Sequence, residues 1–462
     1  MAYGSYLVHA RAGRLDRLAK RIAANIDTAN GAPLTAVSPT RAVLSPVVAE
    51  ALALTQPDRR LDDVLADLGA ERVESLAPDA VASVLSWREP AELAGDRAPG
   101  TRSLVVDGYD WHLVASRLVE AWQFVGGPGN IDWSGIVVGQ IDTGYTEHPC
   151  LGWRDGRSSW VDTSRDRNFF FRELQSDPDT DRWANRDPYS AEDPVTGAHG
   201  GHGTRTASLL CGFDTSKAAR KTDSGVAPAL GYFGAAPQVP YVPIRISNSV
   251  WINDTTDALG AALDHLVNEV GCQVITISLG ATLPAYLPKI ARDMIDRAYT
   301  QGVIVCCAAG NIIDSVVTPA RAPRTIAVAG STPNDQPWTG SSFGRTVDIA
   351  APAWPIWRAS TTQWGRFEYG YGDGTSFATP QVAGTAALWL VKHRDALAAK
   401  YPERWMRVAA FLKLLKETAR IPDGGWDARN YGAGLLNARA VLDADLPDAD
   451  ALRPDTERHH EA

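Results

Sequence analysis

Residues 257–280 read DALGAALDHLVNEVGCQVITISLG, and residues 287–310 read LPKIARDMIDRAYTQGVIVCCAAG. Each stretch opens with apolar residues at intervals of three and four, the spacing of a helix with one buried face. Each then passes a glycine and becomes a short, mostly apolar run. VIVCCAA has no charged or hydroxyl residue and VITISL only Thr276 and Ser278, so both predict strands covered on both faces, as parallel strands are. The same texture extends outward. GIVVGQID (135–142), VPYVPIRI (239–246), TIAVAG (325–330) and VDIAAP (347–352) read as further buried strands. Strands alternating with helices predict an α/β fold: a doubly wound, mostly parallel sheet with helices on both faces. In such sheets chemistry gathers at the carboxyl ends of the strands.

The first 105 residues differ in texture. SYLVHAR (5–11) reads as a strand, and RLDRLAKRIAANI (14–26) and RLDDVLADLG (60–69) as amphipathic helices, which predicts a small N-terminal α+β domain. REPAELAGDRAPGTR (88–102) reads as a linker, 106–445 as the large domain, and 446–462 as a polar tail expected to be disordered. With 462 residues the chain exceeds a single ordinary core. A net charge of −9 argues against nucleic acid as the main partner. No apolar run reaches membrane-spanning length, so no membrane partner is expected. The opening MAYGSYLVHARAGRLDRLAKRIA lacks an apolar core behind a basic start, which predicts a cytoplasmic protein. Cys150, Cys211, Cys272, Cys306 and Cys307 are odd in number and form no CxxC pair, so buried reduced thiols are expected.

Four short stretches carry chemistry. Asp142 ends a buried strand in IDTG. His202 lies in a glycine turn, HGGHGT, ahead of the helical run RTASLLCG. Asn311 follows the strand VIVCC in AAGN. Ser376 sits in GDGTSFATPQVAG (372–384), where a glycine-rich turn meets an apolar helix. Each has a plain alternative. Asp142 and Asn311 suit turns, His202 alone is ambiguous, and Ser376 could be a helix cap. Together they are the parts for acyl transfer: a nucleophile, a base, an acid that orients the base, and a donor for the oxyanion.

At this point the chain resembles the subtilisin-like serine proteases (subtilases). The resemblance rests on IDTG (141–144), GHGT (201–204), SLG (278–280), AAGN (308–311) and GTSFATPQVAG (374–384), and covers roughly 110–445. GAAPQVPYVPIRI (234–246) and YGAGLLNARAVL (431–442) add to it. It implies a serine endopeptidase with Ser376 as nucleophile, His202 as general base and acid, Asp142 as its orienting acid and Asn311 as oxyanion donor. Ser278, Leu279 and Gly280 would pair as a strand with a polypeptide substrate. The pocket for the residue before the scissile bond would be lined by Ser278–Gly280, Ala309, Gly310 and the stretch around Val316, Val317 and Thr318. The valines would narrow it toward small or medium apolar residues. No cofactor is needed for this chemistry, and structural calcium is compatible with it. Asp177, Asp179 and Asp181 form a DxDxD run that could offer oxygen ligands, although Pro178 intrudes and no full ligand set is legible. The N-terminal region would be an intramolecular inhibitor removed on zymogen activation, or a lasting regulatory domain. A peptide-binding pseudoprotease, and a transacylase or peptide cyclase using the same triad, stay open.

The sequence departs from the family at Arg205 and Gln381, where a histidine is usual, and at Phe377, where methionine is common. The segment 143–201 is also longer than in the smaller members.

Overall fold

The computed structural model describes residues 110–454, except 155, 171–186, 196–198, 214–233, 254, 283–286 and 362–366, together with segments between 5 and 76. The chain divides into two units, one principally residues 1–91 and the other principally 92–459.

The N-terminal unit contains strands β1 (Ser5–His9), β2 (Thr35–Ser38), β3 (Arg41–Leu44) and β4 (Arg72–Leu76) in an antiparallel sheet of order β2-β3-β1-β4. A helix over Leu61–Leu68 buries Leu61, Val64 and Leu65, the i, i+3, i+4 stripe that its spacing predicts. This is the expected α+β unit. Of the helix expected over 14–26 the described residues are Leu18 and Ile22, both helical and buried.

The second unit is built on seven strands: β5 (Val138–Asp142), β6 (Arg167–Asn168), β7 (Tyr241–Arg245), β8 (Val274–Ile277), β9 (Ile304–Ala308), β10 (Ile326–Ser331) and β11 (Ile349–Pro352). Their order is β11-β10-β9-β8-β5-β7-β6, and every neighbouring pair is parallel. The α/β reading of the sequence is therefore correct. Alternate residues divide between the faces. Ile304 and Cys306 join one core with Trp122, Val382 and Trp389, while Val305 and Cys307 join the other with Leu259, Leu263 and Ile295. The strands are mostly apolar on both sides because both faces of the sheet are covered. After β7 the chain crosses back to lie beside β5 as β8, so the order reverses between β5 and β8, and in open parallel sheets the carboxyl ends at such a point are where ligands bind.

Two features differ from the sequence reading. Strands β12 (Ile356–Thr361) and β13 (Phe367–Gly372) form a separate antiparallel hairpin that was not expected, because FEYGYG has no apolar run. The segment expected to be a disordered tail is packed as far as Leu452: that side chain is buried, and Tyr401 Oη donates to the Pro447 carbonyl at 2.8 Å. Leu452 is the buried anchor, and the partly buried Leu446 and Ala449 pack against the same core.

Candidate active site

The ends of β5, β8 and β9 stand side by side, and each leads directly into a motif. Asp142 is the last residue of β5 and is 1% exposed. Its Oδ1 accepts the Thr143 N–H at 2.7 Å and lies 2.7 Å from His202 Nδ1. Its Oδ2 accepts from Thr206 Oγ1 at 3.1 Å. His202 opens the helix His202–Cys211 and is fully buried. An ionised carboxylate can only accept, so this contact places the ring proton on Nδ1 and leaves Nε2 a bare acceptor. Among the described residues Nε2 has no hydrogen-bond partner. Thr206, one turn along the same helix, also receives the Gln140 amide at 2.6 Å. Sequence reading passed over both residues, since a polar residue inside a buried strand or helix signals nothing until its partner is known.

The glycines of these motifs answer to crowding. A Cβ on Gly203 would lie 1.9 Å from the Gly144 carbonyl oxygen, so a side chain there would push His202 away from Asp142.

Ser376 is the second residue of the helix Thr375–Lys392, behind Gly374 at φ 152°. Pro380 stands four residues on and has no N–H, so the Ser376 carbonyl loses its helical donor. Ser278 Oγ replaces that donor at 3.0 Å, and Ser376 Oγ in turn donates to the Ser278 carbonyl at 3.1 Å. Two serines at the ends of different elements are thus tied reciprocally. Asn311 is held by its oxygen, which accepts from Thr375 N and Thr375 Oγ1, both at 2.9 Å. Its Nδ2 is thereby turned toward the Gly374–Ser376 turn, 3.3 Å from where a Gly374 Cβ would sit.

The expected pocket residues also converge. Val317 N donates to Ala309 O at 2.9 Å, and its two methyls fill the space over Gly280 and Gly310, within 2.4 and 2.6 Å of where Cβ atoms would stand. Leu279 is buried. Gly280 needs a correction as a substrate-pairing residue. Its N–H donates to Val250 O at 2.9 Å and its carbonyl accepts from Ile252 N at 3.0 Å, so both groups already bond within the chain. A substrate strand reaches Gly280 only if the 250–252 segment yields. At Gln381, where the family carries histidine, the side chain bonds Pro352 O and Phe377 O at 2.8 Å and accepts from Ser116 Oγ at 3.1 Å. It is a structural bridge. No cluster of three or more metal-ligating side chains occurs among the described residues, and Asp177, Asp179 and Asp181 lie outside them.

A parallel sheet with a buried Asp–His pair, a helix-start serine and an amide at its switch point defines the class: a hydrolase-like α/β domain of the subtilisin plan. Residues 133–434 match the model of the subtilase family, and the chain belongs to that family. It is 30% identical over 245 residues to subtilisin NAT of Bacillus subtilis subsp. natto, a match covering 52% of this chain and 55% of that protein. It is 27% identical over 309 residues to subtilisin Savinase of Lederbergia lenta, covering 67% and 91%. The match thus spans about half the length of the subtilisin NAT and subtilisin E chains. Among solved structures, a protease from Pseudoalteromonas arctica shares the fold at a TM-score of 0.54 and 24% identity, over 72% of this chain and 96% of that one. Fervidolysin from Fervidobacterium pennivorans shares it at 0.52 and 21%, over 96% and 61%.

Proposed function

We propose that the chain is a serine endopeptidase that hydrolyses peptide bonds through Asp142, His202 and Ser376. The observation that carries the reading is the buried 2.7 Å contact between Asp142 and His202 Nδ1, which leaves Nε2 as an acceptor in the site that also holds Ser376. In the reaction Ser376 Oγ leaves the Ser278 carbonyl, gives its proton to His202 Nε2 and bonds to the substrate carbonyl carbon. The carbonyl oxygen becomes an oxyanion and receives Asn311 Nδ2 and the Ser376 N–H, a first-turn donor that no carbonyl of its own helix can reach. His202 then passes the proton to the leaving amine as the C–N bond breaks. Water repeats the sequence on the acyl-enzyme and restores the serine.

The substrate class follows from Val317, whose methyls occupy the slot between Gly280 and Gly310. Cleavage after small or medium apolar residues is expected, and best cleavage after Phe or Tyr would refute this. The N-terminal unit, with its four-stranded antiparallel sheet, is assigned here as an intramolecular inhibitor. The five free, buried thiols suit a reducing compartment and proteolysis inside the cell.

The test is intact-mass spectrometry after exposure to a fluorophosphonate, with Ser376→Ala alongside. One adduct on the wild type only supports the nucleophile, and loss of about a hundred N-terminal residues on activation would support the inhibitor role. No adduct on the wild type even after its N-terminal unit has been cleaved away would remove the enzyme reading.

A further inference from the structure

Thr143 and Asp193 stand immediately behind the catalytic pair and take no part in the chemistry above. Asp193 is a buried carboxylate in the long segment between Asp142 and His202, 3% exposed. Its Oδ2 accepts from Thr143 Oγ1 at 2.6 Å and from the Gly201 N–H at 2.7 Å. Its Oδ1 accepts the Val195 N–H at 2.7 Å. Thr143 Oγ1 in turn accepts the Gly203 N–H at 3.0 Å. The residues on both sides of His202 therefore donate their backbone N–H groups to this one pair, while Thr143 is also the neighbour of Asp142. Arg245, fully buried at the end of β7, closes the arrangement. Its guanidinium donates to the Thr143 carbonyl, lies 3.6 Å from Asp193 Oδ1 and stacks over Phe170 at 5.5 Å. Burial pushes the Asp193 carboxyl upward, against the pull of Arg245 and of three donors that suit its ionised form.

We propose that Asp193 and Thr143 form a positioning clamp that sets the Asp142–His202 geometry, with Arg245 holding the clamp's charge in place. The proposal rests on the peptidase reading of the same site. It requires that the threonine hydroxyl transmit position: it donates to Asp193 and accepts from Gly203, joining the strand end that carries the acid to the turn that carries the base. No other side-chain oxygen among the described residues accepts a hydrogen bond from the N–H of Gly201 or Gly203. A loss of alignment of a few tenths of an ångström at His202 acts on the chemical step and leaves substrate binding untouched.

Removing Asp193 would take a carboxylate away from the fully buried Arg245 and risks the fold, so the decisive variants are Thr143→Val, which keeps the shape, and Thr143→Ser, which keeps the hydroxyl. On the full chain, each is assayed for kcat and KM on a peptide substrate, for thermal melting, and for the low-field Nδ1 proton resonance of His202. The expected result is a fall of about 10- to 100-fold in kcat for Thr143→Val with KM within about twofold, a shifted or broadened proton signal, and recovery of both in Thr143→Ser. Equal kcat in wild type and Thr143→Val, an unmoved proton signal, or losses in both variants that merely follow their melting temperatures would overturn the clamp. If the wild type takes no fluorophosphonate even after its N-terminal unit has been cleaved away, the peptidase reading falls by itself, and the proton signal still decides whether Thr143 sets the Asp142–His202 contact.

Discussion

At the scale of single residues, Asn311 and Val317 have separable effects. Asn311 is fixed through its oxygen by Thr375, so its amide nitrogen needs no rearrangement to meet an oxyanion. Asn311→Leu is expected to lower kcat by about 10²–10³ with little change in KM, the size known for loss of an oxyanion-hole amide in subtilisin. Steady-state kinetics on one peptide would check it, and a change confined to KM would disprove the role. Val317→Ala removes the methyls over Gly280 and Gly310. It is expected to raise kcat/KM for Leu, Phe or Tyr before the scissile bond by about tenfold over the wild type, the worth of one or two methylenes in an apolar pocket. A peptide panel in which both enzymes rank the residues alike would show that Val317 does not set the pocket. Of this site, Asp142, His202, Ser376 and Asn311 were legible because each sits in a motif at an element's end. Thr206, Thr143, Asp193 and Arg245 were not. Their partners lie up to 102 residues away, in the case of Arg245 and Thr143, and a threonine or arginine in a buried run has no local signature of that pairing.

Elements rather than residues explain why the helix that carries Ser376 has a proline in its second turn. Pro380 removes the donor owed to the Ser376 carbonyl, and Ser278, just beyond β8, supplies another. Ser278→Ala should therefore leave a buried carbonyl without a donor and cost about 1–3 kcal/mol of stability. In a Pro380→Ala background the helix recovers its own N–H, and the same serine change should cost markedly less. A double-mutant cycle measured by denaturant unfolding reads the coupling directly. Additive costs would mean that Ser278 does not stand in for the N–H that Pro380 lacks. The elements that sequence revealed are those whose period is unambiguous: the all-apolar strands of the large sheet and the helices between them. The β12–β13 hairpin escaped because four of the six residues of β13 are glycine or tyrosine. The packed segment around Leu452 escaped because its docking rests on a few scattered apolar side chains, Leu446, Ala449 and Leu452, and on Tyr401, which is distant in sequence.

For the molecule as a whole, two groups of buried titratable residues link folding to solution conditions. All five cysteines are free and buried, and burial pushes the thiols of Cys150, Cys211, Cys272 and Cys306 well up, so they stay protonated and shielded in the folded chain. A thiol reagent at neutral pH is expected to modify none of them without denaturant and all five once the chain unfolds. Rapid labelling of any one in the native protein would contradict this. Asp166 gives linkage of the same sign at a lower pH. It is 1% exposed, accepts the Ala191 N–H at 2.9 Å through Oδ2, and has no hydrogen-bond partner for Oδ1 among the described residues. Burial raises its pKa from 3.8 to about 6, with Asp187 and Asp162 adding to the shift while the Ala191 bond and Arg167 oppose it. The folded chain thus holds this proton more tightly than the unfolded chain. Raising the pH from 3.8 to about 6 therefore costs stability, and the cost is complete above the folded value. Asp166→Asn replaces the protonated acid by a neutral group of the same shape, which can keep the Ala191 bond. It should be close to neutral near pH 4, and above pH 6 it should stabilise the protein by up to about 3 kcal/mol, the worth of a shift of roughly two pH units. Unfolding curves of both proteins from pH 4 to pH 8 test this, since the gap between them must open as the pH rises. A gap that stays constant across that range would mean that Asp166 carries its charge in the folded chain as readily as in the unfolded one.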